Sequence, residues 1–216
     1  MSTAHRLTDT PVGDALAAFS SPDPTPGGGS AAALASALGT SLLIMVSGLA
    51  KTRTGADGER AALAAAAPNL VDLRDRLMQA MDDDRAAYDR VIAAYKLPKA
   101  SAEEQQTRKD AIQTALRGAT DVPLTVVRLS AAALNAAETI AENGHPGAAS
   151  DVGVAVALLR AGLHGARLNV EINLGSVRDE AYAGTTRSEV ERLAQQAREA
   201  SEAAERSLGP LARGGR

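Results

Sequence analysis

Cysteine is absent from the 216 residues, and so is tryptophan. The missing thiol excludes a disulfide framework, a thiolate zinc site and a cysteine nucleophile together, and it fits a reducing, cytoplasmic setting. Aromatic side chains are scarce as well, with one Phe and three Tyr. The formal net charge is −3 and no Lys/Arg stripe carries interleaved aromatics, so nucleic acid is not an expected partner. The three histidines, His5, His145 and His164, stand too far apart for any ligand spacing, and no metal centre is expected. Met1–Thr10 lacks an apolar run, which argues against a signal peptide.

What is abundant is alanine, the best helix former and the one that loses no side-chain entropy. The expected fold is an all-α, single-domain helical bundle over residues 1–216, with no internal repeat or dividing linker. Thr10-Pro11 reads as a helix start, followed by a short amphipathic helix with Val12, Leu16 and Phe19. The stretch Ser20–Gly29 is too rich in Pro and Gly for regular structure, so Ser30 is expected to open a central apolar helix ending near Thr54-Gly55. A long helix follows from about Gly58 to Lys96, with a kink expected at Pro68 and a stop at Leu97-Pro98. Ser101 with Glu104 forms a capping box, Asp121-Val122-Pro123 reads as a restart, and Asn143-Gly144 as a stop. Another helix starts near Ser150-Asp151, and Thr186 with Glu189 reads as a capping box for the last one.

Between Pro24 and Ala50 no side chain is charged, and Ala31–Ala50 is long enough to span a bilayer. Ser36, Gly39, Thr40, Ser41, Ser47 and Gly48 interrupt it, and neither a basic cluster nor an aromatic belt flanks it. A helix buried in a bundle or a dimer explains it better than a membrane span. Its small residues would let two such helices approach closely, so at least a homodimer is expected.

Three groups of residues could carry chemistry. Pro26-Gly27-Gly28-Gly29-Ser30 frees backbone N–H groups at a helix mouth, where they could hold an anion or merely form a tight turn. It is neither a Walker A loop nor a dinucleotide fingerprint. Leu70, Leu73, Leu77, Met81, Asp84, Tyr88, Val91 and Tyr95 follow three- and four-residue steps without a break, which puts Asp84 on a core-facing stripe. A carboxylate there must be paired, hydrogen-bonded or set in a pocket, so Asp84 is either a structural tie or an acid/base. Asp151 opens a nearly apolar helix and would serve as its N-cap without any function. Farther along, Asn169 and Asn173 share one face, suited to cross-linking helices or reading a polar ligand. Arg160, His164, Arg167 and Glu171 form the complementary, solvated stripe.

In their order these segments resemble the cyclodeaminase/cyclohydrolase family. The resemblance lies in Pro26–Ala50 (PGGGSAAALASALGTSLLIMVSGLA), Asp84–Lys99 (DRAAYDRVIAAYKLPK), Ala119–Leu124 (ATDVPL) and Ser150–Leu174 (SDVGVAVALLRAGLHGARLNVEINL). It implies a homodimeric or larger all-helical enzyme acting on a tetrahydrofolate with a one-carbon unit between N5 and N10. The implied reaction is hydrolysis of 5,10-methenyltetrahydrofolate to 10-formyltetrahydrofolate, or cyclisation of 5-formiminotetrahydrofolate with loss of ammonia. Either needs proton transfer and no metal or redox cofactor. The resemblance marks Asp84 and Asp151 as catalytic candidates. As substrate-binding candidates it marks Gly27, Gly28, Gly29, Ser30, Lys51, Tyr88 and Asn173. Family members often carry a Gly-Lys-rich segment ending in Tyr after the central helix; here Lys51–Gly55 (KTRTG) has only Lys51 and Arg53 and no Tyr. A non-catalytic folate binder and a purely structural helical assembly are the alternatives.

Overall fold

The computed structural model describes residues 6–209, so His5 and the rest of the first half of the Met1–Thr10 segment lie outside the described residues. Within them the regular structure is helical: α1 (Val12–Phe19), α2 (Gly28–Ser47), α3 (Asp57–Tyr95), α4 (Ala102–Asn143), α5 (Ala149–Leu174) and α6 (Glu180–Leu208). Short 3-10 turns at Leu7–Asp9 and Pro146–Ala148 and one isolated bridge, Thr52 with Gly144, complete it.

α2 lies at the centre, packed against α5, α3 and α4, while α6 covers α4. By length and composition α2 is apolar enough to cross a membrane, yet ten of its residues, from Gly29 to Val46, are buried. The small residues that allow close approach serve α5 of the same chain. A Cβ on Gly39 would sit 2.7 Å from the Ala155 carbonyl oxygen, and one on Gly162 would fall 2.6 Å from that of Ala32.

Several boundaries differ from the sequence reading. α2 begins at Gly28 and ends at Ser47, so Gly28 and Gly29 form its first turn. Pro11, with no side-chain cap, precedes α1; the Thr10 hydroxyl donates instead to the Arg6 carbonyl. Pro68 does not break α3, because both it and Ala64, whose carbonyl it leaves unpaired, face solvent. Thr186 is buried in the second turn of α6, which Asp179 caps by accepting from the Tyr182 N–H. Glu189 pairs with Arg128 through two bonds of 2.7 Å. The Ser101–Glu104 box is present with both its bonds.

The instructive difference is at Pro123, which does not restart the chain: α4 runs unbroken for 42 residues. A proline inside a helix leaves the carbonyl four residues earlier without its donor. That carbonyl belongs to Ala119, and the Asn173 side-chain amide donates to it from α5 at 2.8 Å. The tie makes a testable pair. Asn173→Ala should destabilise the wild type by about 1–3 kcal/mol, as an orphaned half-buried carbonyl does. In a Pro123→Ala background the restored N–H should take over, and chemical denaturation should show the loss shrinking by more than half. Equal losses in both backgrounds would refute the tie.

After α2 the chain is pinned rather than free. Glu59 accepts from the Thr52 and Thr54 hydroxyls and from the Thr54 and Gly55 N–H groups, which hold its carboxyl down at about 2. Arg53 donates to the carbonyls of Ala141 and Ser207, so it fastens the ends of α4 and α6.

Candidate active site

The Leu70–Tyr95 stripe is continuous in α3, but it changes surroundings along its length. Leu70, Leu73, Leu77 and Met81 are buried, Asp84 is half-buried, and Tyr88 and Tyr95 are exposed. The core ends at Asp84, where a cavity of about 320 Å³ opens, within the size range of small-molecule sites.

Four helices and one loop build its wall. The first turn of α2 supplies Gly28 and Gly29, and the preceding loop supplies Pro24, Thr25 and Gly27. α3 contributes Asp84, Ala87, Tyr88 and Val91, and α4 contributes Leu116 and Ala119. α5 adds Asn169 and Asn173 from its C-terminal half. The glycine loop, Asp84, Tyr88 and Asn173 are therefore brought together. Asn169 belongs with them; sequence reasoning saw its pairing with Asn173 without assigning it to the site.

Asp84 has two roles at once. Its Oδ2 accepts from the Ser30 N–H and the Ser30 hydroxyl, each at 2.9 Å. Ser30 is the third residue of α2, whose N-cap Gly27 has no side chain to satisfy the orphan donors of the first turn. Asp84 caps α2 from another helix, and its charge sits at the positive end of the α2 dipole. The N–H that might have cradled a ligand anion is thus occupied by the protein's own carboxylate. Burial pushes the Asp84 carboxyl above the usual carboxylate range, and the two Ser30 donors pull it partway back.

Gly29 is required by this contact. A Cβ there would overlap the Asp84 carboxylate, with Oδ2 at 2.8 Å and the carboxyl carbon at 2.7 Å. Gly28 is less constrained, since its Cβ would meet the Asn169 amide nitrogen at 3.5 Å, an ordinary contact. Ser30 is fully buried and turned away from the cavity, its hydroxyl also 3.1 Å from the Met81 carbonyl. Asn169 and Asn173 donate to the carbonyls of Gly165 and Ala119, and their Oδ1 atoms take no hydrogen bond from the described residues.

Lys51 and Asp151 stand elsewhere in the same chain. Lys51 follows α2 at the end opposite Gly28, about 30 Å away along a 20-residue helix. Asp151 is the third residue of α5 rather than its N-cap, which is Ala148, and lies about 27 Å along that helix from Asn169. Its charge complements the α5 dipole. Within one chain neither residue reaches the cavity.

Fold and cavity together define a class: a helical domain that offers one half-buried carboxyl, two amide oxygens and a tyrosine to a small polar molecule. Comparison with known proteins narrows it. The family profile described as Formiminotransferase-cyclodeaminase matches residues 11–192. A methenyltetrahydrofolate cyclohydrolase of Methylorubrum extorquens is 40% identical over 178 residues, covering 82% of this chain and 86% of that protein. A formimidoyltransferase-cyclodeaminase of Gallus gallus is 31% identical over 195 residues, covering 90% of this chain and 36% of that longer protein. Among solved structures, the formiminotetrahydrofolate cyclodeaminase of Thermotoga maritima matches with a TM-score of 0.83 at 25% identity, covering 94% of this chain and 97% of that one. The chain belongs to the formiminotransferase-cyclodeaminase family.

Proposed function

We propose that this chain is a folate one-carbon enzyme, that it hydrolyses 5,10-methenyltetrahydrofolate, and that the reaction takes place in the Asp84 cavity. The observation that carries the reading is a half-buried carboxyl at the wall of a pocket of ligand size, raised above the usual carboxylate range by burial and so able to carry a proton beside a bound molecule. In the hydrolysis, the Asp84 carboxylate takes a proton from water as the oxygen bonds to the methenyl carbon. The same proton passes to N5 as the carbon–N5 bond breaks. The hydroxyl of the tetrahedral carbon loses its proton to solvent, and a formyl group remains on N10. The free Oδ1 atoms of Asn169 and Asn173 accept from ring and amino N–H groups, and Tyr88 packs against the ring. Only protons move, so the proposal assigns no metal or cofactor to the step.

A second reading is cyclisation. N10 attacks the 5-formimino carbon, and the imino nitrogen takes up two protons, the one that N10 loses and one from solvent, before it leaves as ammonia and the methenyl cation forms. The likeness to the Thermotoga maritima cyclodeaminase favours it, while the relative from Methylorubrum extorquens favours hydrolysis. One purified preparation given each substrate decides between them. The proposal expects the absorbance of 5,10-methenyltetrahydrofolate to decay with turnover. Decay only of 5-formiminotetrahydrofolate would make the chain a cyclodeaminase, and a stoichiometric perturbation without turnover would make it a binder.

The same proposal includes a homodimer in the cytoplasm, with no nucleic acid or membrane partner. Two outward stripes support the dimer: Ala31, Leu38 and Met45 on α2, with half-buried Leu34 and Leu42 between them, and Val154, Ala161, Leu168 and Ile172 on the adjacent α5. Neither stripe carries a charge, and Leu38, Val154, Leu168 and Ile172 are each more than half exposed in the single chain. Light scattering at micromolar concentration should give twice the mass of 22.1 kDa or a higher multiple. A monomer mass would refute this.

A further inference from the structure

Ser30 is fully buried, yet both its donors turn toward one oxygen of a carboxyl at the cavity wall. The other oxygen, Oδ1, takes no hydrogen bond from the described residues and lies against Gly29, itself part of the wall. The two oxygens of Asp84 are therefore unequal. We propose that Ser30 is the positioning residue of Asp84: it reserves Oδ2 for the protein, so that the proton is taken up and delivered at Oδ1. This rests on the reading of Asp84 as the proton carrier, and it replaces the expectation that Ser30 touches substrate.

The hydroxyl can serve both protonation states. It has one hydrogen and two acceptors in reach, Asp84 Oδ2 at 2.9 Å and the Met81 carbonyl at 3.1 Å. With Asp84 ionised it donates to Oδ2, the stronger, charge-assisted bond. With Asp84 neutral it can turn to Met81 and still be satisfied, so Asp84 gains and loses a proton without orphaning a buried group. Little else around the carboxyl competes. α2 presents Gly28 and Gly29 with Ser30 behind them, α4 presents Leu116 and Ala119, and α5 presents Asn169 and Asn173, all uncharged. The loop before α2 presents Pro24 and Thr25, also uncharged. On α3 the titratable wall residue besides Asp84 is Tyr88, with Asp83 and Arg85 adjacent in the chain.

Removing the hydroxyl leaves the N–H bond and deletes one donor that favours the ionised form. In Ser30→Ala the acid limb of the kcat profile should move up by about one pH unit. KM should stay within twofold, and the rate should return toward wild type as pH rises. Ser30→Cys, a weaker donor of similar size, should shift the limb less in the same direction. The carboxyl resonance of Asp84, assigned by its loss in Asp84→Asn and followed by carbon NMR against pH, should move by the same amount. An unmoved limb and resonance with a lowered Tm would make Ser30 a packing residue and overturn the proposal, as would loss of the fold in both variants. A raised KM with an unmoved profile would return Ser30 to substrate binding. Should the resonance move while Asp84→Asn keeps full activity, the Ser30 tie stands and the catalytic reading of Asp84 fails.

Discussion

Asp84→Asn should keep the fold and lose at least about 100-fold in kcat, the low end for removal of a general acid/base. Asn preserves the outline and can still accept from the Ser30 N–H, so the cap on α2 survives. What disappears is the proton. The stability sign follows from the raised pKa of the carboxyl. A carboxyl whose folded pKa lies above its unfolded value contributes stability at low pH and loses it as pH rises through the folded value. Burial therefore makes the ionised carboxylate the costlier form in the folded chain, and Asn, which carries no charge, should melt within a few degrees of wild type. Thermal melting and turnover on one sample check both halves. A structural salt bridge predicts the reverse, a fall of about 3 kcal/mol or more with activity per folded molecule retained. The structure shows a serine partner instead of a cation.

The largest stability effect should come from Gly162. Its missing side chain lets α5 lie against α2: a Cβ would meet the Ser36 hydroxyl oxygen and fall 2.6 Å from the Ala32 carbonyl oxygen. The serine can rotate, but the backbone cannot without moving a central helix. Gly162→Ala should therefore cost about 2–3 kcal/mol, the overpacking penalty exceeding the helix-propensity gain of about 1 kcal/mol. Gly184→Ala, on α6 with nothing within 4 Å, should show the gain alone. Denaturant titration of the two variants should give changes of opposite sign. A stabilised Gly162→Ala would mean that α2 and α5 do not pack as described.

How far the sequence could be read follows from where the forces lie. The all-α class and the inward faces of Leu70, Leu73, Leu77 and Met81 were legible because they rest on local propensity and periodicity. Asp84 was legible for the same reason, as the one charge on an apolar stripe. Pro123 was not, because what permits it inside α4 is the Asn173 amide on α5, 54 residues from the Ala119 carbonyl that it satisfies. The false box at Thr186 and Glu189 shows the opposite error. Its spacing fits a cap, but the Arg128 side chain on α4 claims Glu189, and Asp179 already caps the helix.

The site divides in the same way. The glycine loop, Asp84, Tyr88 and Asn173 came from pattern and resemblance, and the fold brings them to one cavity. Ser30 was expected at the ligand and proves to hold Asp84, a distinction only the direction of a buried hydroxyl reveals. Lys51 and Asp151 sit at the far end of α2 and α5, because helices of 20 and 26 residues separate motifs that read as one set.

The central claim is that folate chemistry takes place in the Asp84 cavity, and a crystal structure of Asp84→Asn soaked with 5,10-methenyltetrahydrofolate tests it most directly. The account predicts the bridging carbon about 3–3.5 Å from the residue 84 side chain or from a water it holds, the spacing of a near-attack geometry. The pteridine should lie against Tyr88, with its N–H groups on Asn169 and Asn173. A second cavity, about 400 Å³, lies between α5 and α6 with Arg167 and Arg187 in its wall; density for the ligand there, or at the Lys51 and Asp151 end, with the Asp84 cavity empty would contradict it.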